Sequence, residues 1–328
     1  MPQDLVVIIA LALLYALLNG VTGSSNIVAT MISSRAFRPG AALAVAAVAV
    51  FFGPFVFGLA VATTIGDEFV RAGAMSLRVL IAGLGGAITW TVLTWLLGMP
   101  TSASHALIGG ILGAVLVGAG FGAINPNGLS KVLLALFASP VIGFLSGFVL
   151  TRLIFFAAQN ASPAINELFR RGQLLTSVAM ALSHGANDGQ KTIGVITLSL
   201  LVGGRLNSFE IPLWVIAISA AAIALGTGLG SWRLIRTLGA GFFRVRPVHG
   251  CSAQLTSTLV ILTASLFGGP VSTTQVVSSS IVGVGSSEGL GRVRWGVVGD
   301  IVTAWLITIP ASALFAAALY WILEAAQR

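Results

Sequence analysis

The sequence predicts an all-α polytopic membrane protein built from two repeats, and three observations support that prediction. Hydrophobic residues make up 56% of the 328 positions and charged residues 8%, with a mean hydropathy of +1.01. A soluble domain needs about 25% charged residues, so lipid is the natural solvent for this chain. Residues 79–130 and 247–287 contain no Asp, Glu, Lys or Arg. Because a spanning helix needs about 20 residues, the longest stretches hold at least two helical elements each.

The third observation is a repeat of short polar motifs. Residues 100–104 (PTSAS) and 270–274 (PVSTT) place a proline before a hydroxyl run, 170 residues apart. A second pair, residues 19–26 and 183–191, interrupts apolar sequence near the start of each half. Polar interruptions at matching places in a half-length repeat are typical of secondary transporters, whose inverted repeats contain broken helices and re-entrant hairpins.

The apolar pattern also gives the organisation of the chain, with about 10–12 helical membrane segments. Four apolar pieces are too short to span a bilayer alone and are expected to be half-helices or re-entrant hairpins: 27–34, 173–182, 192–204 and 275–287. A polar stretch around residue 160 separates the halves. The predicted division is a first inverted repeat at 1–160, a linker at 161–173 and a second inverted repeat at 174–328.

The charge distribution indicates the location of the protein. The net charge is +8, and arginines such as Arg35, Arg38, Arg170 and Arg171 fall between the apolar segments. Short basic loops are retained on the cytoplasmic side, so we expect a multi-pass protein of the cell membrane, in a bacterium the inner membrane. No basic stripe carries interleaved aromatic residues, so no nucleic-acid partner is expected. The single cysteine, Cys251, indicates neither a disulfide nor a metal site.

Residues 183–191, the interruption in the second half, contain the charged and amide side chains that point most clearly to a function. Asn187, Asp188 and Lys191 are costly at membrane depth unless they pair or line a polar cavity. Two glycines in the run allow the helix to unwind, and free backbone N–H groups then suit an anion. Asp188 suits a cation or a proton, and Lys191 suits Asp188 or an anion. The alternatives are a loop outside the bilayer for residues 183–191 and a tight interhelical turn for residues 19–26.

The proline-led motifs supply neutral donors. Proline suits the first turn of a helix, and the hydroxyl groups that follow either cap that turn or bind a ligand. Ser102, Ser104, Ser272 and Thr273 at two facing helix N-termini would form a donor cage for a tetrahedral oxyanion. The alternative is a pair of ordinary helix caps. His105 is a candidate proton carrier, or a structural hydrogen-bonding group.

Together the four motifs resemble the PiT family of inorganic phosphate transporters over nearly the whole chain. Residues 183–191 (SHGANDGQK) and 270–274 (PVSTT) are similar to the second-half signatures, and residues 19–35 and 100–105 to the first-half ones. The resemblance implies two inverted repeats whose hairpin tips meet near the membrane centre, and a homodimer. It also implies transport of phosphate, alone or as a neutral metal complex, with protons or sodium and without another cofactor.

Carried over by matching position, the resemblance places seven residues in the anion site: Asn26, Ser102, Ser104, Asn187, Asp188, Ser272 and Thr273. Thr22, Gly23 and Asp188 are expected to line the coupling-ion site, with His105 and Lys191 as possible proton or anion partners.

Departures from the family pattern bear on the substrate. Gly23 stands where the family has an acidic residue, Thr22 where it has His or Asn, and Gln275 where it has His. Asp188 is therefore the one carboxylate expected in the core. Fewer carboxylates repel a dianion less, which keeps a sulfate permease of the same family as an alternative. The retained Asn-Asp-Gly-Gln-Lys run favours phosphate.

Three other functions are weaker alternatives. A membrane-embedded hydrolase could use His184 and Asp188, but it would need a nucleophile with an oriented base or a set of metal ligands, and neither is evident. An uncoupled anion channel would need no coupling residue, and a non-transporting sensor would fit the lost carboxylate. We therefore expect no enzyme, and instead a permease that works by alternating access.

Overall fold

The computed structural model describes residues 3–65, 75–162 and 164–326, and within them it contains helices and no strand. The predicted all-α fold class is confirmed. The described α-helices, in chain order, are α1 (Gln3–Ser33), α2 (Pro39–Val56), α3 (Ala60–Thr63), α4 (Leu77–Leu97), α5 (Ala103–Gly118), α6 (Pro126–Ala157), α7 (Ile165–His184), α8 (Gln190–Val202), α9 (Leu213–Leu229), α10 (Trp232–Ala240), α11 (Pro247–Leu266), α12 (Thr273–Ser287) and α13 (Trp295–Ala325). A π-helical turn (Gly185–Gly189) joins α7 to α8, and short 3-10 turns (Phe121–Ala123 and Leu290–Arg292) precede α6 and α13.

Several helices have the length and composition of membrane spans. Among the described residues, α1, α2, α4, α6 and α13 are long and apolar enough to cross a bilayer. Helices α9 and α10 meet at a bend of 72° and form a sixth crossing if they count as one span. Helices α5 and α12 have 16 and 15 residues, too few to cross a hydrocarbon core about 30 Å thick. Helix α12 agrees with the half-helix predicted at 275–287.

Helix α1 runs without interruption through residues 19–26, so the predicted break there is wrong. The hydroxyl groups in this run bond to carbonyl oxygens of their own helix: Thr22 to Leu18 at 3.0 Å, Ser24 to Val21 at 2.7 Å and Ser25 to Thr22 at 2.7 Å. Such local bonds satisfy the hydroxyl groups without water, and the helix continues. The piece at 27–34 is therefore mostly the last turns of α1 rather than a half-helix.

The second interruption, residues 183–191, does not unwind either. The chain passes from α7 through the π-helical turn into α8, and the pieces at 173–182 and 192–204 are consecutive parts of this helical rod. A π-helical turn adds a residue to one turn of a helix, and such turns are frequent at functional sites. The predicted unwinding is wrong, but the irregularity lies at the predicted residues.

The two halves of the chain interlock. Helices α4, α5 and α6 recur in order as α11, α12 and α13. Each short helix packs on the long helix of the other half, α5 on α13 and α12 on α6. The same exchange pairs α1 with α9 and α2 with α7. The inverted orientation of the repeats stays a prediction, and α7 begins at Ile165, inside the stretch expected to be a linker.

The apolar core has two clusters with polar side chains between them. Leu5, Ile8 and Tyr15 of α1 belong to one cluster, with residues of α4, α5 and α8. Ile27 and Met31 of α1 belong to the other, with residues of α2, α11 and α12. The polar stretch of α1 lies between these two groups, and the buried polar side chains of the π-helical turn and of the N-termini of α5 and α12 lie near it. The fold thus encloses its polar residues at the junction of the two clusters.

Candidate functional site

The N-termini of α5 and α12 form the tips of two helical hairpins, α4–α5 and α11–α12. Ser102 caps α5 by accepting a hydrogen bond from the backbone N–H of His105 at 3.1 Å, and Ser272 caps α12 in the same way from Gln275 at 3.3 Å. Both serines are buried. Ser102 and Ser272 are therefore ordinary helix caps in this structure, which is the alternative considered from the sequence: each hydroxyl oxygen accepts a hydrogen bond from an N–H group of the first turn.

The two tips contact each other, as the resemblance implies. Ser104 Oγ of one tip donates a hydrogen bond to the carbonyl oxygen of Val271 in the other, at 3.2 Å. His105 Nε2 lies 3.4 Å from Gln275 Nε2, and the other ring nitrogen of His105 lies 2.8 Å from Ser102 Oγ. His105 and Gln275 are matching positions of the repeat, so corresponding residues of the two halves meet at the tips.

A buried ion pair joins the tips to the π-helical turn. Lys191 Nζ donates hydrogen bonds to Asp188 Oδ1, to Ser104 Oγ at 2.6 Å and to the Val271 carbonyl at 2.8 Å. All three hydrogens of the ammonium group are therefore used. Thr273 Oγ1 donates to the other carboxylate oxygen, Asp188 Oδ2, at 2.6 Å. The pair is electrically neutral as a unit, and its side chains form hydrogen bonds to residues of both tips.

Two asparagines lie beside the pair. Asn187 Nδ2 donates to Ser265 Oγ at 2.8 Å and to the Gly269 carbonyl at 3.1 Å, and Asn26 Nδ2 donates to Thr274 Oγ1 at 3.1 Å. The Oδ1 atoms of both asparagines are buried and have no hydrogen-bond partner within the described part of the chain. A buried acceptor without a donor is costly, so these two oxygens indicate a place for a cation or a donor group.

Comparisons with known proteins decide the family. A family model described as "Phosphate transporter family" matches residues 19–162 and 155–316. The chain belongs to this phosphate transporter family. It is 41% identical to the probable low-affinity inorganic phosphate transporter of Rhizobium meliloti (strain 1021), over 97% of this chain and 96% of the relative. It is 39% identical to the protein of the same description from Bacillus subtilis (strain 168), over 97% of each chain.

A solved structure agrees with the family assignment. A protein described as the sodium-dependent phosphate transporter matches with a TM-score of 0.90 and 25% identity, over 98% of this chain and 99% of that chain. The chain is thus a multi-pass membrane protein of a transporter family, and the hydrolase alternative is wrong.

The structure shows what occupies the space near Gly23, where the family resemblance led us to expect an acidic residue. A Cβ atom at Gly23 would lie 2.5 Å from Nε2 of His184. The imidazole ring is fully buried, and its Nδ1 lies 3.3 Å from Asp188 Oδ2. This family member therefore places an imidazole where a side chain from α1 would project. Sequence reasoning missed this position of His184, although its spacing of four residues before Asp188 puts both on one helix face.

The predicted residues fall into two groups. The structure brings Ser102, Ser104, Asp188, Lys191, Thr273 and His105 into one hydrogen-bonded cluster with the two tips, and Asn26, Asn187 and Ser272 lie at its border. Thr22 differs, because its hydroxyl group bonds back to carbonyl oxygens of α1. Gly23 contributes backbone and the space that His184 fills.

Proposed function

We propose that this chain transports inorganic phosphate across the inner membrane of a bacterium by alternating access, together with a cation. The observation that carries the proposal is the ion pair of Asp188 and Lys191 held between the two hairpin tips. Ser104 of one tip and Thr273 of the other each bond directly to the pair. Any movement that separates the tips must therefore change the partners of the charged groups.

The hydroxyl groups at the tips suit a tetrahedral oxyanion. The N-termini of α5 and α12 carry partial positive charge from their helix dipoles, and both tips face one junction. In the proposed bound state, Ser104 and Thr273 turn from the ion pair to the anion. Lys191 then exchanges Ser104 Oγ for the anion, which becomes its second partner of negative charge, after Asp188. Neutral hydroxyl donors hold an anion without the strength of several cations, which permits release.

The neutrality of the ion pair supports coupling to a cation. A phosphate ion added to a neutral, buried site leaves negative charge at membrane depth, which is costly. A proton on Asp188 or a sodium ion would reduce that charge. The unpartnered Oδ1 atoms of Asn26 and Asn187 are suitable ligands for sodium, since hard cations take oxygen ligands.

Phosphate is the substrate proposed here rather than sulfate. The relatives compared above are described as phosphate transporters. Transport as a neutral metal complex remains part of the proposal, because such a complex would bring its own cation to the site. A homodimer is proposed on the family resemblance alone.

Uptake into proteoliposomes tests the proposal. Labelled phosphate and labelled sulfate are supplied in parallel, with an imposed proton gradient, an imposed sodium gradient or none. We expect phosphate to accumulate with one of the two gradients, and Asp188→Asn to abolish accumulation. Asp300→Asn is the matched control, because Asp300 is exposed near the start of α13. Accumulation of sulfate without phosphate would contradict the substrate, flux that ignores both gradients would indicate a channel, and normal accumulation by Asp188→Asn would contradict the coupling role.

A further inference from the structure

A stripe of buried polar side chains leads away from the ion pair between α1 and α7. On α1 the stripe consists of every fourth residue, Asn26 and Thr30, followed by Ser34 just beyond the end of the helix. On α7 it consists of Gln173 and Ser177, which are also four residues apart. Residues four apart lie on one helix face. Asn26 and Thr30 are 1% exposed, Gln173 and Ser177 are fully buried, and Ser34 is half-buried.

Two contacts fix how the helices face each other. Ser34 Oγ donates a hydrogen bond to Gln173 Oε1 at 2.7 Å, and Gly23 faces His184. Ser34, just after α1, is eleven positions beyond Gly23, and His184 is eleven positions beyond Gln173 on α7. The two helices therefore run antiparallel in a constant register. That register places Thr30 opposite Ser177, between the outer contact and the ion pair.

The stripe has more hydrogen-bonding capacity than the described residues use. Thr30 Oγ1, Ser177 Oγ, Gln173 Nε2 and Asn26 Oδ1 are buried and have no hydrogen-bond partner within the described ranges. Buried polar atoms without partners are rare in folded proteins because each loses its hydration. Thr30, Ser177 and Gln173 follow the register of α1 and α7, and Asn26 lies at its inner end, where its amide bonds to Thr274. Together the four unpartnered atoms indicate groups that serve a polar ligand.

The other half of α1 has a different character. It buries Ile8 and Ala12 in the apolar cluster, to which Val195 of α8 also belongs. The polar stripe instead ends at Ser34, which is followed by the exposed Arg35 and Arg38. Basic loops of this kind mark the cytoplasmic side, and positive charge at an entrance raises the local concentration of an anion.

We propose that phosphate moves between the ion-pair site and the cytoplasm along this stripe. Thr30 and Ser177 bind the ion briefly with their hydroxyl groups, and the hydrogen bond between Ser34 and Gln173 closes the outer end. The inference rests on the proposed function. Gln173 also contacts Gly250 of α11, where a Cβ atom would overlap Gln173 Nε2, so the glycine leaves room for this side chain.

Cysteine accessibility tests the route. In a Cys251→Ser background, which removes the native thiol, Ser177→Cys and Thr30→Cys are exposed to an anionic, membrane-impermeant methanethiosulfonate from the cytoplasmic side. The matched control is Thr197→Cys on α8, since Thr197 is also buried and its Oγ1 also has no partner in the described chain. We expect both stripe thiols to react, reaction to stop phosphate uptake, and phosphate to slow the reaction. The control thiol should stay unmodified.

The same experiment separates the two proposals. The Cys251→Ser protein is first assayed for phosphate uptake, and failure there would contradict the proposed function. Uptake with stripe thiols no more reactive than the Thr197→Cys thiol would overturn the route alone. Adding Gln173→Ala to Ser177→Cys should speed modification, because it removes the closing hydrogen bond, and an unchanged rate would overturn the role of Gln173. Thr30→Cys and Ser177→Cys lie on different helices, so each checks the other if one fails to fold.

Discussion

Removing one charge of the buried ion pair, and then both, gives the sharpest prediction about stability. Asp188 and Lys191 are each 1% exposed. Asp188→Asn leaves the ammonium group with two neutral acceptors, Ser104 Oγ and the Val271 carbonyl. Removing one partner of a buried pair costs about 3–5 kcal/mol, because the other charge stays buried without compensation. Lys191→Met should cost a similar amount, since it leaves the carboxylate with the hydroxyl group of Thr273 and the imidazole of His184 and with no permanent positive charge.

The double variant Asp188→Asn/Lys191→Met removes both charges together. Replacing a whole buried pair by neutral residues is often neutral or stabilising by about 1–4 kcal/mol. We therefore expect the double variant to be more stable than either single variant, although none of the three transports phosphate. Thermal unfolding of the purified protein in detergent measures the stabilities, and uptake into proteoliposomes measures transport.

The exposed Asp300 supplies the control, because Asp300→Asn should change stability by no more than about 0.5 kcal/mol. If the two single losses simply add in the double variant, the side chains act independently and the reasoning about the pair is refuted.

Three further predictions concern the surroundings of the pair. Gly23→Ala places a Cβ atom 2.5 Å from His184 Nε2 and should destabilise by about 1–3 kcal/mol, less so when combined with His184→Ala. The control Gly299→Ala projects into open space within α13, so it should not destabilise in thermal unfolding and should stabilise by up to about 1 kcal/mol. Because His184 fills the space near Gly23, Gly23→Asp should strengthen the cation dependence of uptake only together with His184→Ala; unchanged cation dependence in that double variant would count against a coupling site here. Thr273→Val removes the 2.6 Å hydrogen bond to the carboxylate, about 1.5–3 kcal/mol for a charged acceptor, and should raise the KM for phosphate, whereas Thr303→Val, on the exposed side of α13, should leave it unchanged.

The hairpin tips could be predicted from sequence because their signals are local. A proline followed by hydroxyl residues specifies the start of a helix, and the spacing of 170 residues identifies two copies of one unit. The charged residues at 188 and 191 were informative for a similar reason, since buried charge needs partners. The structure adds that Lys191 bonds to both tips at once, through Ser104 and the Val271 carbonyl.

The course of α1 and the position of His184 could not be predicted in the same way. Small polar residues suggest a helix break, but their hydroxyl groups can equally bond to the preceding turn, as those of Ser24 and Ser25 do. The choice depends on the packing around the helix, which the sequence does not show. The space near Gly23 is likewise filled from another helix, 161 positions along the chain at His184.

The central claim is that the anion binds where the two hairpin tips meet. A crystal structure with arsenate, a phosphate analogue whose anomalous scattering marks its position, tests this claim most directly. We expect an arsenic peak between the tips, with arsenate oxygens within hydrogen-bonding distance of Ser104 Oγ and Thr273 Oγ1. An arsenic peak elsewhere, with those hydroxyl groups still bonded to Lys191 and Asp188, would contradict the account.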